Sequence, residues 1–362
     1  MSTTSIFSRH ITPNWEKLVA CISRQQMPER VHFIELFLDE EIKAVLCSQY
    51  RIDHNLDQND PWYFQKREIA IQRFLGYDYV LSGPSGLDLP LDWLTTSDTA
   101  EIRRTEGRKF INEHAGPITS WQTYEDYPWP NPIGFSTAEL EWYQKHLPDD
   151  MCIIGGLTGS FAEYISWLMG FETLCYALYD QPDLVEAIVT RYLVLAEQQT
   201  RLMLEFDRVK VIWGSDDLGY RSGPLLSPQA MRKYVLPGHK RLAQLSHDAE
   251  RFYILHSCGK LDTIMEDLIE DVKIDGKHSF EDTIQDVRDA KTMWGDRISL
   301  LGGIDVDFLC RADETAIRLR VRETLEVCQP PGGYCLGTGN SVANYIPLDH
   351  YLAMLDEGRK FC

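Results

Sequence analysis

The chain has 362 residues, with 55 acidic side chains against 36 basic ones and a formal net charge of −19. Such a surplus argues against a nucleic-acid binder, which needs Lys and Arg to displace counterions from phosphates, and against docking on an anionic membrane. Hydrophobic content of 44% and charged content of 25% are those of an ordinary globular protein, and the length suits one large α/β barrel or two smaller domains.

The N-terminal stretch has no long apolar run behind a basic start, so no signal peptide is expected. No window approaches ~18 uninterrupted apolar residues, so no transmembrane helix is expected. Nine cysteines are dispersed along the chain. An odd, scattered set of this kind suits reduced thiols and a cytoplasmic location.

In chain order, compact apolar runs predict strands at 31–37, 77–83, 152–159, 209–217, 251–259, 272–280, 298–305 and 332–339. Amphipathic stretches separate them: residues 161–180, 182–206 and 227–248, the last with Ser227 as N-cap and Pro228 at the first helical position. Alternating strands and helices indicate βα units around a parallel sheet. Eight strands close most economically as a (β/α)8 TIM barrel. The chain reads as a single barrel domain, 1–362, with an N-terminal helical extension and a long loop insertion around 84–151. A doubly wound open sheet is the alternative, but no G-x-G-x-x-G follows the first strand.

In a barrel, chemistry belongs at the C-terminal strand ends. There the sequence sets Asp216 and Asp217, His256 and Cys258, His278 and Glu281, Asp305, and Cys335. Residues i and i+2 of a strand share a face, so His256 and Cys258 present imidazole and thiolate to one spot. Cys335, on the last strand, could close the set. One His and two Cys suit Zn²⁺, and three protein ligands leave one coordination position open, as in a catalytic site. The plainer alternative is a hydrogen-bonded core histidine with two core cysteines.

These residues lie in segments that resemble the uroporphyrinogen decarboxylase superfamily, specifically its zinc-dependent corrinoid methyltransferase branch. The matching segments are GSFAEYISWLMGFE (159–172), GSDDLGYRSGPLLSPQAMRKYVLP (214–237), LHSCGKLDTIMEDLIE (255–270), IDGKHSFED (274–282), LLGGIDVDFL (300–309) and GYCLGTGNSVANYIP (333–347). The resemblance implies a (β/α)8 barrel and zinc held by His256, Cys258 and Cys335. It also implies methyl transfer between a small methylated substrate or thiol and the cobalt of a corrinoid. The chain lacks a D-x-H-x-x-G cobalamin signature, so the corrinoid is expected on a separate partner protein. It also lacks the arginine-rich R-Q-A-G-R segment with which decarboxylases of the family grip porphyrinogen carboxylates. That counts against the alternative of a cofactor-free decarboxylase. A third alternative is a non-catalytic zinc-bearing binding barrel.

Around the metal, Asp216 and Asp217 are expected as catalytic-site carboxylates, or as a cap and an ion-pair partner of Arg221. Glu281 reads as a fourth ligand or proton donor, and His278 as a residue that orients a ligand by hydrogen bond. Asp305 and Asn340 are expected to touch substrate, unless Asp305 is only a loop-start cap and the Gly337–Ser341 stretch only a tight turn. Glu35 is expected to face the barrel lumen. Trp121, Tyr124, Tyr127 and Trp129 suit a lid over substrate or a landing face for the corrinoid protein; the alternative is packing within a long loop.

Overall fold

Runs of Ile, Val and aromatic residues form seven parallel strands in sequential order: β1 Tyr79–Ser82, β2 Cys152–Thr158, β3 Val209–Ser215, β4 Phe252–His256, β5 Gly276–His278, β6 Ser299–Leu301 and β7 Tyr334–Cys335. The computed structural model describes residues 6–104, 106–112 and 114–361. Ile153, Ile154, Trp213, Tyr253 and Ile254 are wholly buried, as strands covered on both faces require. Helices cross between the strands, among them Phe161–Met169, Phe171–Asp180, Pro182–Leu204, Leu236–Asp248 and Glu314–Cys328. This is the α/β barrel expected from strand count.

The expected first strand, 31–37, is reduced to single bridges. Phe33 pairs with Leu336 and Leu38 with Val342, both parallel. Ile34 N donates to Leu336 O at 2.9 Å, and Leu336 N to His32 O at 2.8 Å. On its other side, toward β1, a side chain replaces the ladder. The Tyr79 hydroxyl donates to Glu35 O and accepts from Glu35 N, both at 2.9 Å. The Glu35 carboxyl is buried and accepts from Thr338 N at 2.7 Å and Thr338 Oγ1 at 2.6 Å. Gly337 makes this approach feasible, because a Cβ there would stand 1.8 Å from Ile34 O.

The N-terminal extension is the helix Trp15–Ile22, which lies across the starts of the strands. Ser299 Oγ donates to Ile22 O at 2.6 Å, and Trp15 N to Asp150 O at 3.2 Å. Just before β1, buried Asp78 accepts from Asn14 N at 2.6 Å, bonds His32 Nδ1 at 2.7 Å and pairs with Arg30. One carboxylate thus ties the extension and the first strand to the barrel floor.

The 84–151 insertion is more ordered than a loop. It holds an antiparallel hairpin, Trp93–Thr96 with Arg108–Ile111, and the helices Trp121–Asp126 and Ala138–His146. A second small hairpin, Gly219–Tyr220 with Gly223–Pro224, follows β3. No helix among the described residues is long and apolar enough to cross a membrane.

Removing one partner of a buried ion pair leaves an uncompensated charge. Asp78→Ala is therefore expected to cost about 3 kcal/mol or more in denaturant unfolding, and a change below about 0.5 kcal/mol, as at an ordinary surface site, would show that Asp78 is not structural. Burial pushes the Glu35 carboxyl up to about 8, against the opposing pull of the Thr338 hydrogen bonds. The native state then holds this proton more tightly than the unfolded chain, whose Glu titrates near 4.5. The resulting stability is complete below about pH 4.5 and fades as pH rises through about 8. Glu35→Gln is expected to flatten that fall in melting temperature, and an unchanged pH profile would contradict it.

Candidate metal centre and active site

The parallel ladder sets Ser215 opposite His256, and His256 opposite His278, at the C-terminal ends of β3, β4 and β5. Just beyond β3, Asp217 Oδ1 lies 3.6 Å from His256 Nε2 and accepts from Cys258 N at 3.2 Å. Cys258 Sγ lies 3.6 Å from the same His256 nitrogen. One donor atom from each of the three residues falls within 4.8 Å of the others. Donors bound to tetrahedral Zn²⁺ at its usual bond lengths stand about 3.3–3.8 Å apart. The nitrogen, sulfur and oxygen donors therefore fit a zinc ion in type and, for the two distances to His256, in spacing.

A second layer fixes these groups. His278, wholly buried, meets His256 through their Nδ1 atoms at 2.7 Å. Burial, then repulsion from His256 and Lys277, holds the His278 pKa well below the ordinary histidine range. Neutral His278 can accept at Nδ1 with its proton on Nε2. His256 then donates from Nδ1 and keeps the Nε2 lone pair for the metal position, a tautomer assigned from this network. Asn340 Nδ2 donates to Cys258 Sγ at 3.2 Å, and Ser279 Oγ lies 3.5 Å from the same sulfur. Ser279 has φ 85°, a conformation uncommon outside glycine. Its carbonyl accepts from buried Lys277 Nζ at 2.6 Å, and Ser257 O accepts from the same nitrogen at 3.4 Å. Gly259, φ 88°, lets the turn after Cys258 lie on the small rim hairpin, where a Cβ would meet Gly219 backbone at 2.2 Å.

Burial first, then Asp217, pushes the Cys258 thiol up to about 12. Without a cation this cysteine stays a thiol; a metal ion would favour the thiolate. Burial raises the Asp217 pKa, but His256, when protonated in the absence of a metal, and the hydrogen bonds from Cys258 outweigh it, and the net shift is downward.

Cys335 is not brought to this centre. Its Sγ points at Cys21 Sγ, 4.0 Å away, on the helix that closes the barrel floor. The strand path continues past Cys335 through bridges at Leu336, Thr338 and Val342, so its rim end is Asn340, which does reach Cys258. Asp216 is also not directed at the centre. Fully buried, it accepts from Ala162 N at 2.8 Å and Glu163 N at 3.0 Å and bonds His239 at 2.9 Å, anchoring the helix Phe161–Met169. Asp305 is the N-cap of the helix Val306–Arg311 and also accepts from Asp282 N at 2.9 Å. Glu281 stays near the centre: burial, then Asp305 and Asp217, raise its pKa.

Trp121 and Tyr124 pack on each other, with ring centroids 5.6 Å apart, and Tyr124 Oη donates to Ala187 O on the outer helix Pro182–Leu204. Tyr127 Oη donates to Pro90 O at 2.9 Å. Tyr124 and Tyr127 thus pack the insertion, whereas Trp121 remains exposed. Sequence pattern does not single out two residues that the structure brings to the site, Lys277 and Glu163. Glu163 lines a cavity of about 290 Å³ with Asp217, Trp167, Phe171, Tyr220 and Leu225. Burial, then Asp216 and Asp217, push its carboxyl up to about 9. Nothing in the local pattern FAEY distinguishes it from a first-turn helix glutamate.

If His278 orients His256, His278→Leu is expected to weaken zinc binding about 10- to 100-fold in a chelator competition titration without unfolding the protein. Unchanged affinity would remove His278 from the centre.

Residues 106–361 match the family model described as uroporphyrinogen decarboxylase. Methylcobamide:CoM methyltransferase MtaA of Methanosarcina barkeri is 28% identical over 212 residues, 57% of each chain. Methylated-thiol–coenzyme M methyltransferase of Methanosarcina mazei is 24% identical over 250 residues, 66% of this chain and 63% of that one. The chain thus matches less than two thirds of the length of either relative. A solved methyltransferase structure from Methanosarcina mazei superposes with a TM-score of 0.68 at 18% identity, covering 95% of this chain and 98% of that one, and shares the fold. With the family model matching most of its length, the chain belongs to the uroporphyrinogen decarboxylase family.

Proposed function

We propose that the protein is a zinc-dependent methyltransferase that moves a methyl group between a small methylated substrate or thiol and the cobalt of a separate corrinoid protein. The observation that carries this reading is the cluster of Asp217, His256 and Cys258, three donors of zinc type gathered at the rim where a barrel does its chemistry. The names of the two Methanosarcina relatives support it.

Asp217 Oδ1, His256 Nε2 and Cys258 Sγ would hold the ion. When bound, zinc supplies Lewis acidity, lowering the pKa of a coordinated thiol or polarising the heteroatom that carries the methyl group. His278 fixes the His256 tautomer through the 2.7 Å Nδ1 contact. Asn340 donates to the Cys258 sulfur and steadies its negative charge. Asp217 is half exposed on its outer side, which leaves an approach for a small molecule. Glu281, its pKa raised by burial and neighbouring carboxylates, is suited to hold a proton beside that approach.

The cofactor-free decarboxylase reading asks for cationic groups to grip carboxylates. The cavity beside Asp217 is lined by two carboxyl groups and no basic side chain, which favours methyl transfer. The test is metal content together with methyl transfer to free reduced cobalamin. Purified protein is expected to hold about one zinc, and His256→Ala or Cys258→Ser to lose it along with about 100-fold or more of the transfer rate. A protein free of zinc, or variants with unchanged activity, would defeat the proposal.

A further inference from the structure

A cavity of about 770 Å³ lies at the barrel floor, at the end opposite the metal position. It is lined by the N-terminal segment 6–11 and by the C-terminal ends of three helices, Glu40–Tyr50, Tyr63–Leu75 and Leu348–Lys360. Arg9, Arg51, Arg73 and Arg359 line it and no carboxylate does, in a chain whose net charge is −19. Asp349 acts on Tyr50 but lies outside the lining. One wall is aromatic: the Phe74 ring stands 5.5 Å from Phe7 and 5.1 Å from Tyr50, centroid to centroid.

Arg359 is only 5% exposed. Its guanidinium donates to Leu75 O at 2.6 Å and Leu355 O at 2.9 Å, and its Cζ lies 3.6 Å from the Phe7 ring centroid. Gly76, φ 84°, leaves it room, because a Cβ there would stand 2.9 Å from Arg359 Nη2. Nε has no hydrogen-bond partner, and among the described residues no carboxylate pairs with this arginine. The acid that acts on it, Asp356, is held by Arg318 Nη1 at 2.8 Å and Ser8 N at 2.7 Å. Burial draws the Arg359 pKa down to about 10, so the side chain is still a cation at neutral pH. A buried cation without a counter-ion is costly.

The three helix C-termini draw cations to this end, but each carries only about half a negative charge. Asp150 takes Arg73 in a two-bond pair at 2.6 and 3.0 Å. Arg51, exposed just past its helix, has no ion pair among the described residues. We infer that this cavity binds a small aromatic oxyanion, a ring that bears a carboxylate or a phosphate. The ring would lie on the Tyr50–Phe74 wall, where aromatic contacts add to burial. The oxyanion would face the guanidinium groups, whose fork matches both carboxylate and phosphate. This site needs no metal and is independent of the methyl-transfer reading.

The test is calorimetric binding to the purified full chain. The probes are phenyl phosphate, benzoate, uncharged benzyl alcohol, and inorganic phosphate, which has no ring. The tighter of the two aryl anions is expected to bind about tenfold or more tightly than benzyl alcohol and than inorganic phosphate. Whichever of the two is tighter identifies the oxyanion as phosphate or carboxylate. Arg359→Gln, or Arg51→Glu should Arg359→Gln fail to fold, is expected to weaken that binding about tenfold, the loss of one charge-assisted hydrogen bond. His256→Ala is expected to leave it unchanged. Equal binding of benzyl alcohol or of inorganic phosphate, no detectable binding of either aryl anion, or unchanged affinity in the arginine variants would overturn the inference. Loss of binding in His256→Ala would overturn it as well, by placing the anion at the metal position instead.

Discussion

Glu35 joins the two edges of the sheet. Its backbone N–H and C=O meet the Tyr79 hydroxyl on the β1 side, and its carboxyl takes two hydrogen bonds from Thr338 on the other. No ladder links the 31–38 segment to β1, so closure there depends on one tyrosine and one acid. Both are buried, where a lost hydrogen bond is costly because water cannot replace it. Barrel closure in turn fixes where the Thr338–Asn340 segment runs, and Asn340 is the residue that reaches the Cys258 sulfur.

The candidate metal centre is assembled by register. His256 and His278 sit opposite each other on neighbouring strands, so an imidazole pair follows from backbone pairing alone. Burial keeps His278 neutral, and a neutral partner can accept the proton that the ligand must carry on its far nitrogen. Lys277, on the intervening face, donates to carbonyls on both flanking turns and so holds Ser279 in its left-handed conformation. Below the centre, Asp216 secures the helix that carries Glu163 and Trp167 into the adjoining cavity. The candidate metal centre and the cavity are therefore positioned by the same strand end.

Residues of one chemical type met different fates, and local sequence does not separate them. Asp216 and Asp217 are adjacent, yet successive residues turn to different surroundings: one anchors a helix inside, the other stands at the rim. Asp305 looked like a rim acid and is an N-cap, a role any Asp before a helix can take. Cys335 looked like the third ligand because it lies on the last strand. Its neighbour is instead Cys21, contributed from 314 positions away. Of the Trp121–Trp129 aromatics, Tyr124 reaches an outer helix and Tyr127 is buried in the insertion, while Trp121 stays about half exposed, at 46%.

What the sequence alone determined was local and periodic. Short apolar runs specify strands buried on both faces, and their alternation with helices specifies a parallel barrel. An i, i+2 spacing on one strand brings His256 and Cys258 to one face. Tertiary structure decided everything that crosses strands: Asp217 as the candidate third donor, His278 and Asn340 as its supports, and the cavity lined by Glu163 and aromatic residues beside them. Those choices depend on register between neighbouring strands and on where each strand path reaches the rim. Both are set by closure of the whole sheet, and no single stretch of sequence encodes them.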